Sequence, residues 1–174
     1  MLIRYLSECG FDFLPAIDYE AEWEVVKPIV TQHPWLCSQG YFRSESEYLS
    51  CVRRQATHNV DRWNCKPYLD QVYRSKYWLG LLAPTRNLNR HHNSYGLKHF
   101  CEDWWKPEAY ERYRSFPGYC VERSYVSNGS LILAAILLGW EFSDTHRGRI
   151  LRPNVYFPFS EKSLRLLEPE SYLF

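Results

Sequence analysis

The sequence lacks the short motifs that identify most enzymes and cofactor sites. It has six cysteines but no C-x-x-C pair, which argues against a zinc ribbon or a dithiol redox site. It also lacks a glycine-rich phosphate loop, a G-x-S-x-G nucleophile elbow and an obvious pair of catalytic carboxylates. Its unbroken apolar run covers residues 131–138 only, whereas a membrane span needs roughly 20 apolar residues. We therefore expect no metal, no cofactor and no membrane partner, and binding rather than catalysis.

No secretory signal peptide is recognisable after Met1. Arg4 precedes only a short apolar stretch that an acidic residue interrupts. We therefore expect a cytoplasmic protein, in which cysteines stay reduced. The six cysteines are then predicted to be buried free thiols rather than a disulfide framework.

Charge is distributed unevenly, although the formal net charge is only +1. Residues 1–30 hold six acids and two bases, and no Asp or Glu occurs in residues 71–101 or 145–160. The acids Glu20, Glu22 and Glu24 are predicted to form an acidic face on one helix. The two acid-free spans are candidate contact surfaces for a negatively charged partner.

The length of 174 residues suits one domain, which we assign to residues 1–174. The alternative is a main domain with an N-terminal helical appendage at residues 1–60. Aromatic residues make up 17% of the chain, so large rings are expected in the core and in contact surfaces.

The apolar run predicts a buried central helix over about residues 128–139. Ser127 or Asn128 can cap its start, and Gly139 can take the left-handed backbone that ends a helix. The apolar residues cover every side of this helix, so other elements must enclose it. Ala135, in the middle of the run, should be buried.

Further helices are predicted from their caps and from apolar spacing. One begins after Asp18 and should kink or end at Pro28. Four more are expected at about residues 45–58, from Pro67 to before Pro84, from Asn93, and from about residue 160. A short helix is also expected from residue 107. Residues 31–42 and 85–93 are predicted loops.

Apolar residues alternate at the C-terminal end of the chain, which predicts a small β-hairpin. Trp140 and Phe142 precede a turn region, and Val155, Phe157 and Phe159 follow it. The predicted fold class is therefore α+β and mostly helical, with the central helix surrounded by helices.

Three segments carry a resemblance to a known group of proteins. They are S-Y-x-L-K-H-x-x-E at residues 94–102, Y-V-S-N-G-x-x-I-x-A-A-x-x-x-G at residues 125–139, and P-N-x-Y-F at residues 153–157. This pattern resembles a family of uncharacterised short proteins from proteobacterial plasmids, phages and other mobile elements, and it spans residues 92–160. The resemblance implies a setting in a bacterial host, where DNA-handling proteins, toxins and inhibitors of host defence are common. It transfers no catalytic residue.

The strongest candidate site is the acid-free loop 86–95 together with the helix that follows. Its side chains donate hydrogen bonds and none is acidic, which suits a phosphate backbone or an acidic protein surface. The candidate binding residues of both acid-free spans are Arg74, Lys76, Arg86, Arg90, His91, His92, Tyr95, Lys98, His99, Arg147, Arg149 and Arg152. Lys98 and His99 are expected on the outer face of the helix. An ordinary solvated loop is the alternative.

Two chemical interpretations of the histidines stay open. His91, His92 and His99 are the right type of side chain for a metal-free ribonuclease, in which one imidazole removes a proton and another supplies one. Zinc binding by His99 and Cys101 is disfavoured because positions i and i+2 of a helix point apart. Separately, a ribbon of Tyr156, Phe157 and Phe159 with neighbouring arginines could stack on single-stranded bases. The alternative, which we favour, is that alternation places Phe157 and Phe159 in the core and Tyr156 outside.

The favoured function is that of a non-enzymatic mobile-element protein. We expect an anti-CRISPR-like inhibitor that docks on a host defence nucleoprotein, because two oppositely charged faces are present and no DNA-reading motif is recognised. The alternatives are a nucleic-acid-binding accessory protein and a small ribonuclease or toxin. The sequence leaves the partner and the oligomeric state open.

Overall fold

The computed structural model describes residues 17–51, 60–106, 124–144 and 153–167. Several predictions fall outside these ranges: the segment before residue 17, the end of the second helix, the helix from residue 107, and Arg147, Arg149 and Arg152. Within the described ranges, no helix is both long enough and apolar enough to cross a membrane.

The described residues form six α-helices and two short antiparallel strand pairs, so the prediction of a mostly helical α+β fold is confirmed. The helices are α1 (Tyr19–Gln32), α2 (Glu45–Cys51), α3 (Lys66–Gly80), α4 (Ser94–Trp104), α5 (Asn128–Leu137) and α6 (Glu161–Leu167). The strands are β1 (Leu36–Cys37), β2 (Gly40–Tyr41), β3 (Ser143–Asp144) and β4 (Val155–Tyr156). A 3-10 turn, Val60–Trp63, precedes α3.

Helix α5 lies at the centre of the core, as predicted. It contacts α1, α3, α4 and both strands of the β1–β2 pair. Ser127 caps its first turn by accepting a hydrogen bond from the Ser130 amide at 3.1 Å. Gly139 follows the helix with φ 72°, the left-handed conformation that glycine adopts without strain. Ala135 is fully buried.

The first turns of α1 and α4 also begin where the sequence predicts. The Asp18 carboxylate accepts from the amides of Glu20 and Ala21, and the Asn93 side chain accepts from the Gly96 amide. These caps satisfy backbone N–H groups that have no partner inside the helix.

Of the two predicted effects of Pro28 on α1, a kink or an end, the structure excludes the end. The helix continues through Pro28 to Gln32. A proline inside a helix costs about 3 kcal/mol. Val26 and Val30 are buried on either side of it, and burying the two valines contributes about 1.5–3 kcal/mol each, which is enough to offset that cost.

The predicted loop at residues 31–42 contains the β1–β2 pair, which the sequence pattern did not reveal. Leu36 pairs with Tyr41, and Cys37 pairs with Gly40. Gly40 has φ 142°, and a Cβ there would lie 2.0 Å from the Pro153 carbonyl oxygen. Only glycine allows this close approach.

The C-terminal strands β3 and β4 pair in antiparallel fashion, with Ser143 opposite Tyr156. Val155, Phe157 and Phe159 are buried, while Tyr156 is half-buried. The alternation predicted for the second strand is confirmed, and Phe157 and Phe159 belong to the core rather than to a stacking ribbon. The first strand was predicted around Trp140 and Phe142 but lies at Ser143–Asp144.

Candidate binding site

Arg74 lies in the core and holds the backbone that leads into α5. Its guanidinium donates to Asp70 Oδ2 at 2.9 Å and to the carbonyl oxygens of Ser124 and Tyr125 at 3.1 and 3.0 Å. It is only 1% exposed. Its prediction as a partner-binding residue is therefore wrong, because all of its charge is directed inward.

Lys98 is likewise buried, although helical spacing had placed it on the outer face of α4. Its Nζ donates to Glu102 Oε1 at 2.9 Å and lies over the rings of Tyr95 and Tyr125, 5.3 and 5.2 Å from their centroids. Glu102 Oε1 also accepts from the Val126 amide at 3.0 Å. The ion pair thus joins α4 to the segment before α5, and Lys98 is not free to bind a partner.

Lys76 and Glu22 form a third internal ion pair. Lys76 Nζ donates to both carboxylate oxygens of Glu22, at 2.8 and 2.7 Å, and Glu22 is buried. The predicted acidic face therefore retains only Glu20 and Glu24, which are exposed. Lys76 joins α3 to α1 and is also excluded from the contact surface.

The loop of residues 85–92 lies against the start of α6. Its backbone is fixed by hydrogen bonds from the Thr85 amide to the Pro158 carbonyl at 3.0 Å and from the Asn89 amide to the Phe157 carbonyl at 2.9 Å. Glu161 accepts from the Asn89 side chain at 2.9 Å and lies 3.2 Å from His92 Nε2. An acid from α6 therefore anchors a loop that has no acid of its own.

This anchoring keeps Glu161 ionised. Partial burial of the carboxyl raises its pKa. Hydrogen bonds from Asn89 and His92, together with the charges of His92 and Arg165, lower the pKa by a larger amount. The net effect places the pKa of Glu161 below its ordinary value. The negative charge is thus held in place beneath the loop rather than presented to solvent as a free anion.

The loop and the start of α6 line an open depression of about 540 Å³. Arg86, Arg90 and His91 from the loop and Lys162 from α6 line it, and all four side chains are exposed. We call these four residues the cationic rim. Glu161 is the one acidic residue among those lining the depression. Lys162 was missed because it lies two residues past the end of the second acid-free span.

The three histidines face different surroundings. His92 contacts Glu161 and the ring of Phe100, at a centroid distance of 5.3 Å. His99 Nδ1 lies 2.8 Å from Glu102 Oε2, and His91 is exposed on the rim. No hydrogen bond or ring contact in the described ranges joins two of them. Acid–base catalysis by a histidine pair needs both imidazoles at one bond, so this arrangement does not favour the ribonuclease interpretation.

A second exposed surface is formed by Tyr95 and Tyr125, which are 51% and 58% exposed. Both rings contact the buried Lys98 amine. The His99 ring packs edge-on against Tyr95, with centroids 4.8 Å apart. Tyr95 was a predicted binding residue, whereas Tyr125 was not, because its pairing with Lys98 connects residues far apart in the sequence.

The three sequence segments of the family resemblance meet in the structure. The Val155 amide donates to Ser94 Oγ, and Asn93 forms an isolated β-bridge with Tyr156. The Asn128 side-chain amide donates to the carbonyls of Gln39 and Pro153 at 2.8 and 3.2 Å. Most polar side chains of this pattern are therefore explained by folding rather than by a site.

Cysteine chemistry and metal binding find little support in the described part of the chain. Burial raises the pKa of the Cys101 thiol to about 12, so it stays protonated and unreactive. Cys37 and Cys65 are half-buried thiols. Among the described residues, no three His, Cys, Asp or Glu side chains are grouped so as to hold a metal ion.

Comparison of the chain with protein-family models, with curated proteins and with solved structures finds no match.

Proposed function

We propose that this protein works by binding, and that the cationic rim is its contact surface for a phosphate-bearing partner. The observation that carries the proposal is the grouping of four exposed basic side chains around one open depression. The acid of that depression, Glu161, is already hydrogen-bonded to Asn89 and His92. Its charge is thereby partly offset, and the rim side chains remain directed to solvent.

The chemistry of the rim suits phosphate groups. Arginine presents a planar fork of donors that matches two phosphate oxygens, and lysine adds a compact point charge. Arg86 and Arg90 are four residues apart on a loop whose backbone is fixed at both Thr85 and Asn89. A loop that is already ordered loses little conformational entropy when it binds.

The setting of this activity is also part of the proposal. The resemblance to mobile-element proteins favours an anti-CRISPR-like inhibitor that acts in the cytoplasm of a bacterial host and docks on the nucleic acid of a defence nucleoprotein. The same rim would serve a nucleic-acid-binding accessory protein equally well. A competition experiment separates the two: an inhibitor should bind the assembled nucleoprotein more tightly than its isolated RNA or DNA.

The test is a charge reversal of the rim, with Arg86, Arg90 and Lys162 each changed to Glu. Lys98 is left unchanged because it is buried. The matched control reverses Lys27, Arg43 and Lys66, which are exposed and outside the rim. Both triple variants change the formal net charge from +1 to −5, since each reversal removes two units. We expect the rim variant to lose binding to nucleic acid and nucleoprotein while keeping the wild-type melting temperature.

The control variant should lose much less affinity, because only the general charge has changed. Three phosphate contacts on a duplex predict a log–log salt slope of about −2.7, or roughly a 40-fold loss of affinity between 50 and 200 mM salt. Equal losses of affinity in the two variants would mean that net charge alone, and not the rim, determines binding. Wild-type affinity in the rim variant would overturn the proposal. Cleavage of RNA that depends on His91, His92 or His99 would show that the protein is a ribonuclease and not only a binding protein.

A further inference from the structure

We propose that Tyr95 and Tyr125 form a stacking site for unpaired bases of a single-stranded nucleic acid. The inference rests on the proposed phosphate-binding function of the cationic rim and names the class of strand that the rim would hold. It is carried by two exposed rings that both contact one buried lysine.

The two rings are held in place by the buried side chain of Lys98. Lys98 Nζ lies 5.3 Å from the Tyr95 centroid and 5.2 Å from the Tyr125 centroid. Glu102 fixes Lys98 by an ion pair of 2.9 Å, in which the carboxylate is only 13% exposed. This cation–π contact occupies one face of each ring, while the two tyrosines remain 51% and 58% exposed.

The backbone at each of the two tyrosines is also fixed. Tyr95 lies in the first turn of α4, which Asn93 caps. The carbonyl of Tyr125 accepts from the buried Arg74 at 3.0 Å. Both tyrosines therefore remain about half exposed on rigid supports. Such rings offer contact area to a ligand at a small cost in conformational entropy.

The charge of this surface suits a nucleic acid. Glu102 neutralises Lys98 and lies 2.8 Å from His99 Nδ1, so the acid is engaged on both oxygens. One member of the cationic rim, His91, lies four residues before Tyr95, and four residues of chain span at most about 14 Å. We therefore infer that one strand contacts both the rim, through its phosphates, and the rings, through its bases.

Only an unpaired strand presents bases to such rings. Duplex bases are already paired and stacked, and extracting one is energetically unfavourable. Stacking on an aromatic side chain contributes about 1–3 kcal/mol per base and tolerates every base. We therefore expect single strands to bind more tightly than duplexes of equal length, with little dependence on sequence.

The test uses the full chain and fluorescently labelled 12-nucleotide strands of DNA and RNA, with the matching duplexes. Tyr95→Ala and Tyr125→Ala should each lower single-strand affinity by roughly 5- to 150-fold, the loss of one stacked base. Tyr95→Phe and Tyr125→Phe keep the rings and should stay within about two-fold of wild type. Duplex affinity should not change in any of the four variants. A melting curve of each variant excludes loss of the fold as the cause.

Photocrosslinking of a 5-iodouracil strand supplies a second measurement, in which we expect crosslinked peptides to contain Tyr95 or Tyr125. Single-strand affinity that survives both alanine substitutions, or that falls equally on duplexes, would overturn the stacking site. If the rim reversal still abolishes binding in that case, the rim proposal stands alone. A wild-type protein that binds no single strand, or a nucleoprotein complex unaffected by the alanine variants, also overturns the stacking site.

Discussion

Individual residues of this protein show how a polar side chain can be part of the core. Arg74, Lys98 and Glu22 are buried, and each is paired with an opposite charge. Helical spacing had suggested that Lys98 faces solvent. Spacing describes one helix, whereas burial depends on what packs against it, and the partner of Lys76 lies 54 residues away. Long-range pairing of this kind could not be predicted from the sequence.

Gly129 provides a prediction at the same scale. A Cβ at this position would lie 1.8 Å from the Cys37 carbonyl oxygen, and the Gly129 amide donates to the Ser38 carbonyl at 3.1 Å. Gly129→Ala should therefore push the β1–β2 pair away from α5 and lower the free energy of unfolding by about 2–3 kcal/mol. Urea denaturation measures the change.

Gly80 supplies the matched control for this substitution. It is the last residue of α3, and a Cβ there meets no atom within 4 Å. Gly80→Ala should be neutral or stabilise the protein by up to about 1 kcal/mol, because alanine favours the helix. Similar destabilisation by both substitutions would show that the close approach at Gly129 is not the cause.

Among the elements, helices were easier to predict than strands. The starts of α1, α4 and α5 were found because a cap is a local signal, carried by Asp18, Asn93 and Ser127. The strands β1 and β2 were missed because residues 31–42 show no alternation of apolar and polar residues, whereas the alternation at residues 155–159 indicated β4. The candidate site was predicted in part: Arg86, Arg90 and His91 lie on the rim, whereas Glu161 and Lys162 come from another element.

The contact between the loop of residues 85–92 and α6 should depend on pH. The pKa of Glu161 is lower in the folded protein than its ordinary value of 4.5. The ionised carboxylate therefore stabilises the fold fully above about pH 4.5, and this contribution is lost as the pH falls through the lower folded-state pKa. Glu161→Gln should accordingly be less stable than wild type at pH 7, with the difference shrinking toward pH 3.

Urea denaturation at several pH values between 3 and 7 measures that difference. Glu24→Gln, on the exposed side of α1, serves as the control and should match wild type throughout. A stability difference at Glu161 that stays constant over this range would mean that packing, and not the carboxylate charge, holds the loop.

The whole molecule is organised around α5, and the sequence predicted this because an entirely apolar helix has to be enclosed. Ala135→Asp would place an unpaired charge at a fully buried position of this helix. We expect loss of the cooperative unfolding transition in a circular-dichroism melt. Leu138→Asp is the control, since Leu138 is 39% exposed just beyond the end of α5 and should tolerate a charge. An unchanged melt for Ala135→Asp would refute the central position of α5.

The side chain of Asn128 has a consequence for the order in which the chain can fold. Its amide nitrogen joins the Gln39 carbonyl to the Pro153 carbonyl and Asn154 Oδ1, and the Tyr41 amide also donates to Pro153. A ribosome adds about 5–20 residues per second, so roughly 6 to 23 seconds separate the synthesis of Tyr41 from that of Asn154. Throughout that interval the β1–β2 pair lacks the acceptors and donors that fix it. The β1–β2 segment of the nascent chain therefore cannot complete this hydrogen-bond network until Pro153 and Asn154 have been synthesised.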